Sequence, residues 1–247
     1  MALYGLVGYP LEHSLSPEIF REIFSSEGRR DCSYRLFPLL SVNRIREWCE
    51  EHPDLKGFNV TIPHKTSVIK RLDAISPLAG QAAAVNTVRV QRTNKLMLMG
   101  YNTDVPGFRL SLEPFLRPHH EKAMILGTGG SSRAVATALS DMGISYIFVS
   151  RKPAGQKTIG YDDLDKQSME AHSLIVNCTP LGMFPDTGSC PAIPYQHIVE
   201  KHLCFDLVYN PEETLFLKKA KQMGATTVNG MAMLRIQARE AWKIWNE

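Results

Sequence analysis

At 247 residues, with 44% hydrophobic and 21% charged side chains, the chain has the make-up of a soluble globular protein with room for one large domain or two moderate ones. A formal net charge of +3 on scattered basic residues is too mild for a nucleic-acid surface, yet would not repel an anionic small molecule. Five cysteines without a CxxC pair, and a His119-His120 pair with no second cluster, exclude a disulfide framework and a metal site of the usual spacing, so a reduced, cytoplasmic, metal-free protein is expected.

The apolar start is broken at Gly8-Tyr9-Pro10 and has no basic flank, so residues 3–8 read as a first strand and not as a signal peptide. No run reaches the roughly 18 apolar residues of a membrane span. Strand and helix patterns then alternate: helix 17–27, strand 33–38, helix 42–50, strand 57–62, and strands 84–89 and 95–100 about a turn at Thr93-Asn94. That alternation predicts an α/β protein with mostly parallel sheet. The segment 114–120, with Pro114 and Pro118, is the expected hand-over to a second unit. There, strand 122–126 precedes a helix running to about residue 142, followed by strands at 145–149, 173–177 and 203–208. Helix 212–223 closes at Gly224, before strand 225–228 and a terminal helix 231–245.

Within strand 57–62, Phe58, Val60 and Ile62 share one parity and are predicted to face the core, whereas Asn59 and Thr61 share the other. Pro63 suits the first turn of a helix, so Lys65 is expected on a fixed strand-to-helix corner beside those polar groups. Such a corner suits chemistry on a polyhydroxylated small molecule.

Gly127-Thr-Gly-Gly-Ser-Ser132 lies between a strand and a helix, the context of a dinucleotide loop. Gly127 would make the tight turn, Gly129 would let a pyrophosphate approach, and Gly130 and Ser131 would open the helix whose N-terminus receives it. Ser132 replaces the third glycine and is small enough for close packing. The next strand ends at Ser150-Arg151-Lys152, where NAD-binding folds carry an acid. A guanidinium there can grip a 2′-phosphate, so NADP(H) is expected.

Other segments carry clustered polar groups. Ser14-Leu-Ser16-Pro17 puts two hydroxyls in a loop, although Ser16 before Pro17 is also an ordinary N-cap; Asn102-Thr-Asp104 could cap a helix starting near Pro106. With Asn59–Lys65, Ala84-Val-Asn86-Thr87, the glycine loop, Asn177-Cys-Thr-Pro-Leu-Gly182-Met183, Asp206-Leu-Val-Tyr209-Asn-Pro211 and Gly230-Met-Ala-Met233-Leu, the chain resembles the shikimate dehydrogenases, with eight segments in the family's order.

The resemblance implies a substrate-binding and catalytic domain over 1–105 plus 231–247, a Rossmann-like NADP-binding domain over 106–230, and a terminal helix returning to the first. It implies NADPH-dependent, reversible reduction of 3-dehydroshikimate to shikimate, in aromatic amino-acid biosynthesis, by a cytoplasmic monomer or homodimer with no nucleic-acid or membrane partner. In such enzymes Ser14 and Ser16 bind the substrate carboxylate, while Asn59, Thr61, Asn86, Asp104 and Gln237 contact ring hydroxyls. Lys65 and Asp104 form the catalytic pair, either of which can move the proton. Tyr209 and Gln237 close the far side, Gly230 and Met233 lie near the nicotinamide, and Thr179 joins the cofactor loop.

The chain departs from the family's pattern at Ser150-Arg151-Lys152, where Asn-Arg-Thr is usual. Val105-Pro106 replaces the glycine after Asn-Thr-Asp, His64 replaces an aromatic or apolar residue and is read as packing, and the stretch between Lys152 and His172 is short. A relative acting on quinate or using NAD fits the same motifs. A non-catalytic metabolite sensor predicts the loss of Lys65 or Asp104, and both are present.

Overall fold

In the computed structural model, which describes residues 1–155 and 157–247, the chain divides into two units: Met1–Pro106 with Arg235–Glu247, and Gly107–Leu234. The first contains β1 (Ala2–Gly8), α1 (Ser16–Ser26), β2 (Cys32–Pro38), α2 (Ile45–Glu51), β3 (Leu55–Val60), β4 (Ala74–Ile75), α3 (Pro77–Ala82), β5 (Thr87–Arg92) and β6 (Leu96–Tyr101). Its sheet has the order β2-β1-β3-β5-β6-β4. β1 is parallel to β2 and β3, whereas β5 is antiparallel to both β3 and β6. The loops after β1, β3 and β6 and the approach to β5 therefore all emerge at one end of the sheet. That end is where the polar segments of the sequence fall.

α4 (Asp104–Leu112) carries the chain past the boundary. The second unit holds β7 (Lys122–Leu126), α5 (Gly130–Asp141), β8 (Ser145–Val149), β9 (Thr158–Ile159), α6 (Lys166–Ala171), β10 (Leu174–Asn177), β11 (Leu203–Asp206), α7 (Leu215–Gln222) and β12 (Thr226–Val228). All its strand pairs are parallel, in the order β12-β11-β10-β7-β8-β9. Counted within the unit this is the doubly wound order, whose switch point lies between β7 and β10. β7, β10 and β11 are short runs of buried apolar residues, as a sheet covered on both faces requires.

α8 (Met231–Asn246) ends the chain, and its last turns belong to the first unit. Ala238, Ala241, Trp242 and Trp245 recur at helical spacing and are buried. Trp245 packs on Tyr4 and Phe20, and its indole donates to the Val88 carbonyl at 3.0 Å. Trp242 stands edge-on to Tyr4 and Phe24 and donates to Glu27. α1 answers with Ile19, Phe20, Ile23 and Phe24 on one face. A Cβ on Gly57 would run into the Trp245 ring, so glycine is what lets α8 lie flat on β3.

The strand pairs are mostly parallel, as expected, with β5 alone running against its neighbours. Several other expectations are corrected. Residues 114–120 lie inside the second unit, and the division falls at Pro106/Gly107. Ile62 lies beyond the end of β3 and is 54% exposed, since strand parity stops applying once the ladder stops. Pro63 sits in a turn, and the helix that follows is a 3-10 segment, Ser67–Arg71. Strand 84–89 starts instead at Thr87, and α4 begins at Asp104, not near Pro106. α3, α6, β4 and β9 had no periodic signal; each is six residues or fewer. Gly224 does take the left-handed conformation, φ +88°, after α7. Among the described residues no helix is long and apolar enough to cross a membrane.

Candidate active site

β3 delivers Asn59 into the sheet directly opposite Thr87 of β5, and the backbone then leaves the ladder toward Lys65. The departure is guided: the Thr61 amide donates to the Val7 carbonyl at 2.9 Å, and the Val85 amide donates to the Lys65 carbonyl at 2.8 Å. His64 is buried, with a ring nitrogen 2.6 Å from the Leu39 carbonyl, a packing role as expected from sequence. Lys65 therefore stands on a pinned backbone although no regular helix holds it.

Its Nζ lies 2.7 Å from Oδ2 of Asp104, with side-chain exposures of 12% and 7%. Asp104 opens α4, whose entry is held by Asn102. The Asn102 Oδ1 accepts from the Val105 amide at 3.1 Å, and its Nδ2 donates to the Ala84 carbonyl at 2.9 Å. Capping by Asn102 is thus found, earlier than a start near Pro106 implied. The other Asp104 oxygen, Oδ1, accepts from Nδ2 of Asn86 at 2.8 Å.

Asn86 is 2% exposed and closely held. Its Oδ1 accepts the Thr103 amide at 2.7 Å, a backbone donor with no freedom to reverse. The amide nitrogen must then face Thr103 Oγ1, at 2.9 Å, and Asp104. Asn59, 5% exposed, gives both amide hydrogens to the protein, to the Asn86 carbonyl at 3.2 Å and to Thr87 Oγ1 at 3.0 Å. Its Oδ1 accepts the Tyr34 hydroxyl at 2.8 Å. Thr103 Oγ1 reaches Gln237 Oε1 at 3.4 Å, which ties the terminal helix to the cluster.

Of the residues expected at the substrate, Lys65, Asn86, Asp104, Asn59 and Gln237 are thus joined in one hydrogen-bonded network. Thr61 precedes Lys65 on the same pinned segment and is half-buried. Ser14 and Ser16 meet each other: Ser14 Oγ accepts the Ser16 amide at 3.3 Å. The Ser16 hydroxyl does not cap α1, where Leu15 takes the N-cap position, so the ordinary capping role is absent. Sequence reasoning assigned no role to Tyr34, Thr87 or Thr103. The threonines flank motif residues and could have been found by adjacency; Tyr34, 25 residues from Asn59, gave no local signal.

The second unit shapes a loop fit for a dinucleotide. Gly127 follows β7 at φ +102°, which L side chains rarely adopt. Gly129 is the N-cap of α5, has no capping side chain, and has nothing within 4 Å of where a Cβ would stand. Gly130 and Ser131 form the first turn of α5, where the helix dipole favours an anion. Ser132 is buried and donates to the Gly129 carbonyl at 2.6 Å, closing the loop on itself. Thr179, after β10, stands across the switch point from Gly127 and is held by Asn177 Oδ1 through its amide at 3.0 Å and its hydroxyl at 2.6 Å. These residues fit a pyrophosphate.

Ser150 Oγ accepts the Lys152 amide at 3.2 Å, and Arg151 and Lys152 are exposed beyond β8. Burial pushes the Tyr161 phenol up, and the Arg151 charge pulls it partly back. Tyr209 is half-buried after β11 and Met233 is buried on α8. A Cβ on Gly230 would collide with the Leu207 carbonyl, so glycine lets that turn close against β11's exit.

Asp206 was not singled out by sequence. It is fully buried and accepts from Asn177 Nδ2 at 2.9 Å, the Val208 amide at 3.0 Å and Thr214 Oγ1 at 2.6 Å. Burial pushes its carboxyl up to about 6, against the pull of those donors. A groove of about 490 Å³ is lined by Arg21, Arg29, Arg30 and Tyr34 among others, but by none of the expected site residues.

Comparison with known proteins finds relatives along nearly the whole chain. A family profile described as "Shikimate dehydrogenase substrate binding domain" matches residues 6–88. The "Shikimate dehydrogenase (NADP(+))" of Methanococcus aeolicus is 36% identical over 98% of this chain and 91% of its own. The solved structure of shikimate 5-dehydrogenase from Thermus thermophilus, in complex with NADP(H) and shikimate, superposes with a TM-score of 0.86 at 32% identity, over 99% of this chain and 93% of that one. A quinate dehydrogenase from Corynebacterium glutamicum, in complex with NAD, superposes with a TM-score of 0.82 at 28% identity, over 99% and 93%.

Proposed function

The chain belongs to the shikimate dehydrogenase family, and on that premise we propose that Lys65 and Asp104 carry its proton chemistry, with Lys65 moving the proton. The protein is an NADP-dependent oxidoreductase acting on a CH–OH group, and its reaction is the interconversion of shikimate and 3-dehydroshikimate. The observation that carries the assignment is the 2.7 Å contact between a largely buried ammonium and a carboxylate whose second oxygen is already filled by Asn86.

Gly127, Gly129, Gly130, Ser131 and Thr179 would hold NADPH, which would supply the hydride in the reductive direction. Negative charge then develops on the substrate oxygen, and the Lys65 ammonium stabilises it and delivers a proton. Asp104 accepts on both oxygens and remains a carboxylate, orienting Lys65. In the oxidative direction a neutral Lys65 takes the alcohol proton. Ser14 and Ser16 receive the substrate carboxylate. Thr61 and Gln237 read ring hydroxyls, and Asn59 offers them the remaining lone pair of its Oδ1. Asn86 is more committed: to bond the substrate it would exchange one internal partner, so its weight falls on orienting Asp104. Tyr209 closes the far side of the substrate, and Gly230 and Met233 serve the nicotinamide. Ser150, Arg151 and Lys152 take the 2′-phosphate, which is why NADP is preferred to NAD. The five free thiols suit a cytoplasmic enzyme, and the reaction serves aromatic amino-acid biosynthesis.

Replacing Lys65 by Ala is expected to lower turnover about 10²–10⁴-fold with little change in substrate KM. Turnover within a few-fold of the parent would end this assignment. Initial rates with shikimate and quinate, each with NADP and NAD, separate this reading from the quinate-type alternative; shikimate with NADP should lead.

A further inference from the structure

The catalytic pair is the end of a longer chain of polar groups, and the donor of every link can be assigned. A tyrosine hydroxyl has one hydrogen, and Tyr34 directs it at Asn59 Oδ1, 2.8 Å away. The Asn86 main-chain carbonyl can only accept, so it fixes the Asn59 amide, whose second hydrogen goes to Thr87 Oγ1 and whose oxygen is left for Tyr34. Having accepted from Asn59, the Thr87 hydroxyl turns its own hydrogen inward, to Asn86 Oδ1 or Thr103 Oγ1, both at 3.2 Å. Asn86 then donates to Asp104, which receives Lys65 on its other oxygen. Each link runs toward the carboxylate.

Tyr34 is well placed to hold the outer end still. Its ring stacks on Phe20 at 4.2 Å and 8°, within the aromatic cluster that also contains Trp245. A rigid ring, unlike a serine or water in the same place, presents its hydroxyl in one position. Without that donor Asn59 Oδ1 loses its partner, the side chain is held only through its two amide hydrogens, and the Thr87 hydroxyl that receives one of them is held less firmly. A polar network in a buried site responds to such a change along its length.

We propose that Tyr34 is a positioning residue for the reaction: acting through Asn59 and Thr87, it buttresses Asn86, whose orientation the Thr103 amide sets, and so steadies the geometry of the Lys65–Asp104 pair. This rests on the assignment of chemistry to that pair. Tyr34 touches none of the reacting atoms, so its contribution should appear in turnover and not in cofactor affinity.

The test is a double-mutant cycle. Tyr34→Phe keeps the ring stack and removes only the hydroxyl. It should lower kcat by about 3- to 30-fold, the range for loss of one buried hydrogen bond, with KM for NADP unchanged and the melting midpoint within about 3 °C. In an Asn59→Ala background the same change should cost almost nothing further, because the route through Asn59 is gone. Thr87→Val, close in shape, provides a second background should Asn59→Ala fail to fold, and there the penalty of Tyr34→Phe should shrink. Parental kcat in Tyr34→Phe, or a penalty undiminished in both backgrounds, overturns the proposal. Either result beside an inactive Lys65→Ala sinks only the role of Tyr34, whereas an active Lys65→Ala sinks the assignment on which that role rests.

Discussion

Asp206 is the buried carboxyl on which solution pH should act most directly. Its native value is raised to about 6 from an ordinary 3.8, because burial outweighs three donated hydrogen bonds. Between those two values the native protein holds a proton that the unfolded chain has released, so stability rises as pH falls through this window. The sign is opposite to that of a salt-bridged aspartate. The full swing corresponds to roughly 3 kcal/mol. Asp206→Asn cannot take up that proton, so parent and variant should diverge in denaturant midpoint between pH 7 and pH 5, the parent gaining on the variant. A constant difference across that range would show that Asp206 does not titrate there. His120 works in the other direction, since burial lowers its ring below the usual 6.5 and favours the native state at higher pH. Comparison at matched pH with the variant cancels it. The residues visible in sequence were those in compact motifs: Lys65, Asn86 and Asp104 stand in short runs of unusual composition. Tyr34 was silent because its partner Asn59 lies 25 residues away, and Asp206, quoted only as the start of a motif, takes its meaning from complete burial, which local spacing does not reveal.

On the proposed assignment, the glycine loop and the end of β8 divide cofactor recognition into two parts that single changes can separate. Gly127 holds φ +102° and faces Thr179 across the switch point, where an added Cβ would stand 3.2 Å from the threonine methyl. Gly127→Ala strains the backbone and crowds that methyl, at a cost of about 1–3 kcal/mol shared between folding and binding. It should raise KM for NADP and NAD alike. Arg151 is exposed, and on the proposed assignment it would meet only the 2′-phosphate that distinguishes the two, so Arg151→Ala should raise KM for NADP far more than for NAD. Equal effects of Arg151→Ala on both cofactors would remove the 2′-phosphate argument. Strand and helix existence was legible here because β7, β8 and α5 carry strong patterns. Boundaries were weaker. Strand 57–62 was drawn past Val60 because Ile62 continued an apolar parity that hydrogen bonding no longer supported. The antiparallel β5 was invisible as a direction, since side-chain alternation is the same whichever way a strand runs.

The two units differ in how their chain is supplied. Gly107–Leu234 is continuous, whereas the unit bearing Lys65 needs its last segment, Arg235–Glu247, from the far end of the sequence. What that segment brings is mainly Trp242 and Trp245, two of the largest side chains in an aromatic cluster with Tyr4, Phe20 and Phe24. Contacts of such sequence separation are expensive to close and are expected to form late. Trp245→Ala opens a cavity over Gly57 and removes the indole bond to Val88, so a loss of about 3–5 kcal/mol is expected. The loss should be local in origin. Hydrogen exchange should quicken across β1, β3 and β5 in Trp245→Ala, while β7, β10 and β11, with their own core of Met124, Leu126, Ile175 and Phe216, keep parental protection. Saturating NADP should still stabilise the variant by mass action, through the intact loop before α5. If β7, β10 and β11 lost protection in step with β1, β3 and β5, the molecule would have to be treated as one cooperative body, with the terminal helix as its common fastening.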